Sequence, residues 1–332
     1  MTELIAEIGQ AHDGSLGMLH AYIDLLADCG VDTVKFQMHI AEAESSMQEP
    51  FRIKFSKQDK TRFDYWQRMT FSFEQWKEIK SHTEEKGMSF LCSPFSMKAF
   101  EWLEKLEVSR YKVASGELNN YLLLDAISQT KKKTIISSGM SSFEEIASAI
   151  ERFKKSQVEL MQCTTAYPTP PELTGLNVIS ELKRRFDIPV GLSDHSGEIY
   201  AGLAAASMEA AHLEFHVAFH KMQFGPDTTS SLIPSQIIQL VNGVKSINKM
   251  LANPVNKNEF AAHSTDLKNM FDKTLAWRGD YSEGTIISSA MLECKKPGGQ
   301  GVSAKEYEDI IGKRIVVRKV NENNFVKYDD YE

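Results

Sequence analysis

Apolar and polar residues alternate in a regular order from residue 3 to about residue 251. An apolar run of 4–7 residues, a polar turn and a segment with helical periodicity follow one another, and this unit recurs eight times. Eight such units predict a (β/α)8 TIM barrel. A doubly wound open sheet is the alternative, but no Gly-x-Gly-x-x-Gly follows the first strand. Strands are predicted at Leu4–Ile8, Thr33–Gln37, Ser89–Cys92, Tyr111–Ala114, Thr134–Ser137, Glu159–Cys163, Val190–Ser193 and Leu213–Val217. Helices are predicted near Leu16–Cys29, Phe73–Lys86, Met97–Leu106, Tyr121–Thr130, Ser142–Lys155, Asn177–Phe186, Ile199–Ala211 and Pro234–Leu251.

Two of these helices begin with the sequence signature of a capping box. Ser72 followed by Gln75 opens the second helix, and Ser142 followed by Glu145 opens the fifth. Residues 39–71 are too many for an ordinary loop between a strand and its helix, and they are rich in charged and aromatic side chains. Insertions of this kind commonly cover a functional site or form a subunit contact.

The composition changes after the last predicted helix. Residues 253–267 open with a polar stretch that is typical of a linker, and residues 268–332 contain short β segments separated by glycine turns. The sequence therefore predicts a TIM-barrel catalytic domain at 1–252, a linker at 253–267 and a small β-rich domain at 268–332. Roughly sixty residues form a marginal independent core, so we expect the small domain to dock on a barrel.

Charge and hydropathy exclude several classes of protein. The formal charge is −7 and the 38 lysines and arginines are spread along the chain, which argues against a nucleic-acid partner. No run approaches the roughly 18 apolar residues of a membrane span, and no signal peptide precedes the first strand, so we expect a cytoplasmic protein with no membrane partner. The four cysteines have no metal-binding or disulfide spacing.

Polar side chains follow most of the predicted strands, where a barrel places its active site. Lys35 and Lys112 lie within otherwise apolar runs, where an unpaired charge is costly. With nearby hydroxyl groups they suit a phosphorylated anion. The alternative is that each lysine snorkels to solvent or pairs with a nearby carboxylate such as Glu7 or Glu117.

Two histidines occupy matched positions on consecutive units. His195 follows the seventh predicted strand and His216 lies near the end of the eighth. Because parallel strands end at the same rim, the two imidazoles predict an open divalent-metal site with positions left for water and substrate. His212 precedes the predicted strand and His220 follows it in a loop, so we expect both to be structural or solvated.

At these residues the sequence resembles the sialic acid synthase (N-acetylneuraminate synthase) family, and its tail resembles that family's antifreeze-like (SAF) domain. The single motifs are weak, but their order and spacing are specific. They are Ala6-Glu7-Ile8-Gly9, His12-Asp13-Gly14-Ser15-Leu16, Val34-Lys35-Phe36-Gln37, Ser93-Pro94-Phe95-Ser96, Tyr111-Lys112-Val113-Ala114-Ser115-Gly116-Glu117, Ser137-Ser138-Gly139-Met140, Cys163-Thr164-Thr165-Ala166-Tyr167-Pro168-Thr169-Pro170, Gly191-Leu192-Ser193-Asp194-His195 and Gly225-Pro226-Asp227.

The resemblance implies a role for each matching residue. His195 and His216 would hold a divalent ion, most often manganese, with magnesium or cobalt as alternatives. Asp13 and Glu117 would be the candidates for the general base that activates water, and a domain-swapped homodimer would be expected. Phosphoenolpyruvate would be bound by Lys35, Lys112, Ser115, Ser137, Thr165 and Ser193. The sugar would be bound by Gln37, Ser93, Glu117, Tyr167, Asp227 and Lys296.

The family's reaction joins phosphoenolpyruvate to an N-acylated amino sugar, such as N-acetylmannosamine or a related diacetamido hexose, and releases phosphate. Lys296 stands where the family usually has arginine, so the contact between the tail and the sugar's acyl group is a point of departure. A metal-dependent pyruvate aldolase on the same barrel and a non-enzymatic carbohydrate-binding protein are the competing hypotheses.

Overall fold

The structure is a computed structural model that describes residues 1–332. The chain forms two compact units, Met1–Asn253 and Pro254–Glu332. None of its helices combines the length and the apolarity that crossing a membrane requires.

Eight parallel strands with intervening helices build the first unit. Their hydrogen-bonded order is β3-β2-β1-β8-β7-β6-β5-β4, and no ladder joins β3 to β4, so the barrel is nearly closed. The predicted TIM barrel is confirmed, and the open doubly wound sheet is not what forms. The strands are β1 Glu3–Glu7, β2 Thr33–Met38, β3 Ser89–Pro94, β4 Arg110–Val113, β5 Lys133–Ser137, β6 Val158–Cys163, β7 Val190–Asp194 and β8 His212–Val217, and a short β9, Ser231–Leu232, pairs with β8. The helices are α1 Leu16–Cys29, α2 Ala41–Glu44, α3 Arg62–Met69, α4 Phe73–Glu85, α5 Met97–Lys105, α6 Tyr121–Gln129, α7 Phe143–Ile150, α8 Leu176–Phe186, α9 Tyr200–Ser207 and α10 Pro234–Leu251.

Apolar side chains on alternate positions of the strands fill the barrel. Ile5, Leu91, Ile135 and Met161 form a small buried cluster of their own, while the larger core lies between the strands and the surrounding helices. Packing on both faces explains why the strands are nearly continuous apolar runs in the sequence. The charged residues within those runs are therefore exceptions that need a partner.

Both predicted capping boxes form. The hydroxyls of Ser72 and Ser142 accept from the backbone amides three residues later, at the first turns of α4 and α7. Helix α9 ends at Ser207, earlier than predicted, because Glu209 adopts a left-handed φ of 58° that stops the helix.

One end of the barrel is held by a partly buried ionic cluster around His212. This histidine is the first residue of β8 and not, as predicted, outside the strand. Its Nδ1 lies 2.8 Å from Glu3 Oε2 and its Nε2 lies 2.6 Å from Glu159 Oε2, so it ties β8 to β1 and β6. The expected structural role of His212 agrees with these contacts, and His220 is exposed in the loop beyond β8.

The second unit has its own small core. Residues 253–267, predicted as a linker, contain α11 Lys257–His263 and the beginning of α12 Thr265–Phe271. The strands β10 Thr274–Trp277, β11 Tyr281–Ser282, β12 Leu292–Lys295 and β13 Lys319–Val320 and the short α13 Tyr307–Ile310 follow, with β10 paired to β12 and β11 to β13. Their buried side chains include Leu275, Trp277, Ile287, Val302, Ile315 and Val326.

Candidate active site

A cavity of about 440 Å³ opens at the carboxyl ends of the barrel strands. This is the position at which TIM barrels carry their active sites, because the loops after the strands converge there. The predicted site residues that line it are Lys35, Gln37, Lys112, Ser115, Glu117, Ser137, Thr165, Tyr167, Ser193, His195, His216 and Asp227.

The two predicted metal ligands lie side by side in this cavity. Strands β7 and β8 pair with Asp194 opposite Phe215, so His195 emerges next to His216. Their ring centroids are 5.2 Å apart, and both rings are buried. Parallel register thus brings together two side chains that are 21 residues apart in the sequence.

The surroundings of the two rings differ. His195 Nδ1 donates to the Thr164 carbonyl oxygen at 2.9 Å, so Nε2, which lies 3.3 Å from the Tyr167 hydroxyl, is the nitrogen that could bind a metal. Burial alone would lower the pKa of His195, but its contacts with Cys163 and the Thr164 carbonyl outweigh burial and raise the pKa. Burial lowers the pKa of His216 to about 4, so its imidazole is neutral, as a metal ligand must be. No third His, Cys, Asp or Glu completes a ligand set. The donors therefore fit an ion that takes its other ligands from water or substrate.

Buried lysines paired with carboxylates form the cavity floor. Lys112 Nζ donates to Ser137 Oγ at 2.7 Å and lies 3.2 Å from Glu214 Oε2, while Lys35 is paired with Glu7 and lies 3.6 Å from Glu214 Oε1. The alternative raised from the sequence is thus observed for Lys35 and Glu7, whereas Lys112 pairs with Glu214 instead of Glu117. These pairs hold two ammonium groups in place at the bottom of the cavity, where neither could be buried alone.

Glu214 is a site residue that sequence reasoning missed. It accepts from Ser193 Oγ at 3.0 Å and lies between the two lysines. The sequence did contain a signal for Glu214. Residues two apart on a strand point to the same face of the sheet, so Glu214, two positions before His216, is expected on the same face as that histidine.

The residues predicted to bind the sugar are only partly brought together. Gln37, Glu117, Tyr167 and Asp227 line the cavity, and burial raises the pKa of Glu117. The Tyr167 hydroxyl lies 3.3 Å from His195 Nε2.

Three predicted site residues lie outside the cavity lining. Ser93 is fully buried in β3, and Lys296 belongs to the second unit, where it is exposed. Asp13 adopts a left-handed φ of 48°, and its Oδ1 accepts from Arg68 Nη1 at 2.6 Å. Arg68 itself is held by Asp59, so Asp13 is engaged by the 39–71 insertion.

The insertion forms one wall of the cavity. It contributes His39, Glu44, Arg52 and Trp66 to the lining. Arg52 Nη2 donates to Asp227 Oδ1 at 2.7 Å, and its guanidinium carbon lies 4.2 Å from the centroid of the Tyr167 ring. The prediction that the insertion covers a site agrees with this placement.

Comparison with curated proteins supports the resemblance found in the motifs. The N,N'-diacetyllegionaminic acid synthase of Campylobacter jejuni is 31% identical over 336 residues, which cover 98% of this chain and 99% of that protein. The N-acetylneuraminate-9-phosphate synthase of Homo sapiens is 31% identical over 320 residues, which cover 95% of this chain and 88% of that protein.

Solved structures and family models agree with these relatives. An N-acetylneuraminic acid (sialic acid) synthetase from Leptospira borgpetersenii, solved in complex with citrate, superposes with a TM-score of 0.70 at 27% identity, covering 80% of this chain and 92% of that one. The SAF domain model matches residues 274–332, and the NeuB family model matches residues 22–256. The chain therefore belongs to the NeuB family and ends in an SAF domain, as the resemblance implied.

Proposed function

We propose that this protein is a nonulosonic (sialic-type) acid synthase, a transferase that condenses phosphoenolpyruvate with an N-acylated amino sugar and releases phosphate. The observation that carries the proposal is the placement of two imidazoles beside two buried lysines in one cavity. A catalyst for this reaction must bind a phosphorylated enol acid and an aldehyde side by side, and this cavity offers a group for each.

The floor of the cavity suits the phosphorylated substrate. Lys35 and Lys112 supply positive charge, and the hydroxyls of Ser115, Ser137, Thr165 and Ser193 can donate to phosphate or carboxylate oxygens. Glu7 and Glu214 pair with the lysines and hold their ammonium groups in place. We assign the enol phosphate to this end of the cavity.

The imidazole end suits the open-chain sugar. A divalent ion held by His195 and His216 would act as a Lewis acid toward the aldehyde carbonyl. The new carbon–carbon bond forms between C3 of the enol phosphate and the aldehyde carbon, and water then adds at C2 before phosphate leaves. Glu117 is the carboxylate that we assign as general base for the water, because it lines the cavity and burial raises its pKa. Asp13 is the weaker candidate because Arg68 holds it outside the lining.

The outer wall favours an acceptor without a phosphate group. It carries the carboxylates Glu44, Glu49, Glu117 and Asp227 against two guanidinium groups, Arg52 and Arg62. Both arginines already have carboxylate partners, Asp227 at 2.7 Å and Glu49 at 3.5 Å. We therefore propose N-acetylmannosamine or a diacetamido hexose, and we expect a sugar 6-phosphate to be a poorer substrate by at least about tenfold in kcat/KM.

The direct test is release of phosphate from phosphoenolpyruvate with manganese and a panel of neutral and phosphorylated amino sugars. Phosphate release that requires both a sugar and the metal supports the proposal, and no release with any sugar contradicts it. Magnesium and cobalt, added after chelation, identify which ion restores turnover. We propose manganese as the best of the three.

Two lysine variants separate the synthase from a pyruvate aldolase. Lys35→Met and Lys112→Met should each raise the KM for phosphoenolpyruvate by about tenfold or more, since each removes a charged contact to the anion. Retention of turnover in both variants would favour the aldolase. A carbohydrate-binding protein without activity would instead bind sugar after chelation.

We also propose a domain-swapped homodimer. Analytical ultracentrifugation of the full chain tests whether the protein is a dimer.

A further inference from the structure

The insertion contains a buried histidine that links a carboxylate to a side chain of the cavity. His39 Nδ1 lies 2.7 Å from Glu44 Oε1, and His39 Nε2 lies 3.1 Å from Gln37 Oε1. Both ring nitrogens are therefore used. The chain of contacts runs from helix α2 of the insertion to the carboxyl end of β2, where Gln37 lines the cavity.

Aromatic rings fix the plane of this imidazole. The His39 ring stacks between Trp66 and Phe95, with centroid distances of 3.8 and 4.4 Å and interplanar angles of 23° and 24°. Only 4% of the residue is exposed. A ring held on both faces cannot tilt, so the directions of its two hydrogen bonds are set by packing.

The contact with His39 fixes the position of the Gln37 amide. A carboxylate only accepts, so the Nδ1–H of His39 donates to Glu44, and Nε2 is the nitrogen that contacts one end of the Gln37 amide. The other end of the amide makes no hydrogen bond within the chain. A Cβ added to Gly9 would lie 3.4 Å from Glu7 Oε1, 3.5 Å from this free end of the Gln37 amide and 3.5 Å from His216 Cε1, so the three side chains border the same small space.

We propose that His39 and Glu44 are positioning residues that hold the free end of the Gln37 amide toward a polar group of the acceptor sugar. This inference rests on the proposed function and assigns a purpose to the insertion. His39 does not touch substrate; it acts through Gln37. A hydroxyl or acylamino group of the acceptor, which can both donate and accept, is the chemical group that such an amide recognises.

The test is a double-mutant cycle on steady-state kinetics of the full chain, with phosphoenolpyruvate saturating and the acceptor varied. His39→Phe keeps the stacking but removes both hydrogen bonds, and we expect the acceptor KM to rise about tenfold while the KM for phosphoenolpyruvate changes less than twofold. Gln37→Ala should have a similar effect. The double variant should match Gln37→Ala within about twofold, because His39 has nothing left to position.

Further variants separate positioning from a general loss of structure. Glu44→Gln can still accept from Nδ1 but without a charge, so we expect a smaller rise of about threefold. His82→Phe is the matched control, because His82 also bonds a carboxylate, Asp24 at 3.1 Å, and a second side chain, but outside the cavity. It should leave the acceptor KM unchanged.

Two results would overturn the inference. One is a His39→Phe variant whose acceptor KM stays within twofold of wild type, and the other is a double variant whose effects multiply. A crystal structure of His39→Phe gives an answer even if the wild-type protein shows no turnover. An unmoved Gln37 amide would refute the positioning role, whereas absence of turnover would count against the proposed function alone. If His39→Phe does not fold, the same cycle is run with Glu44→Gln and Gln37→Ala.

Discussion

At the scale of single residues, the cavity depends on charges that are buried in opposite pairs. Lys35, Lys112, Glu7 and Glu214 are all less than 5% exposed. Each would be very costly alone, and their mutual pairing makes burial possible. The lysines are nevertheless desolvated, and burial lowers the pKa of Lys35 to about 8.

The lowered pKa of Lys35 predicts how binding of phosphoenolpyruvate depends on pH. The ammonium form is the one that attracts the anion, so binding is lost as the pH rises through about 8. We expect kcat/KM for phosphoenolpyruvate to fall by up to about tenfold for each pH unit above that value. Initial rates between pH 6.5 and 9.5 at limiting phosphoenolpyruvate measure this, with the acceptor KM at saturating phosphoenolpyruvate as the internal comparison. A flat profile up to pH 9.5 would contradict the assignment of Lys35.

At the scale of elements, the insertion between β2 and α4 completes a wall that the barrel strands cannot build. Its helices α2 and α3 are short, and they are joined to the barrel by aromatic stacking and by ion pairs. Arg52 reaches from this segment to Asp227 and Tyr167 on two other loops. In the proposed function, recognition of the acceptor would therefore depend on an element that carries no regular barrel strand.

Replacing Arg52 tests how far the insertion controls the acceptor. Arg52→Ala frees the Asp227 carboxylate and uncovers the Tyr167 ring, and we expect the acceptor KM to rise about three- to tenfold. The ion pair is partly exposed, so the free energy of unfolding should change by less than about 1 kcal/mol.

The chain offers a matched control for this variant. Arg152 makes an ion pair of the same length with Asp125, 2.7 Å, and lies over the Tyr121 ring at 3.6 Å, outside the cavity. Arg152→Ala should leave the acceptor KM as in wild type. Equal kinetic effects of the two substitutions would show that Arg52 has no special relation to the acceptor.

At the scale of the whole molecule, the ionic cluster of His212 ties strands together at the other end of the barrel. The two ring nitrogens of His212 are hydrogen-bonded to the carboxylates of Glu3 and Glu159, and Arg110 also pairs with Glu3. The cluster thereby joins β1, β4, β6 and β8. Burial alone would lower the pKa of His212, but its hydrogen bonds to Glu159 and Glu3 outweigh burial and raise the pKa.

The raised pKa of His212 predicts a pH-dependent contribution to stability. The contribution is complete below the ordinary pKa of 6.5 and is lost as the pH rises through the higher value of the folded state. His212→Gln should therefore lower the free energy of unfolding by about 2 kcal/mol near pH 6 and by less at pH 9. Urea unfolding of both proteins at the two pH values measures the difference. A difference that grows with pH would show that His212 is buried without charge.

The sequence alone determined the repeated strand–helix unit, the barrel, and the rim on which His195 and His216 meet. These follow from local periodicity and from the rule that parallel strands end together, so no knowledge of long-range packing was needed. Both lysines were also evident, because a charge inside an apolar run is conspicuous. The path of the insertion was not evident from the sequence. Arg52 contacts Asp227 across 175 residues of sequence, and no periodicity encodes such a contact. The same holds for Asp13, which the motif places in the first loop but which Arg68 draws out of the cavity lining. Tertiary packing alone decided these contacts, because irregular segments are placed by the side chains they meet and not by a repeating pattern of their own.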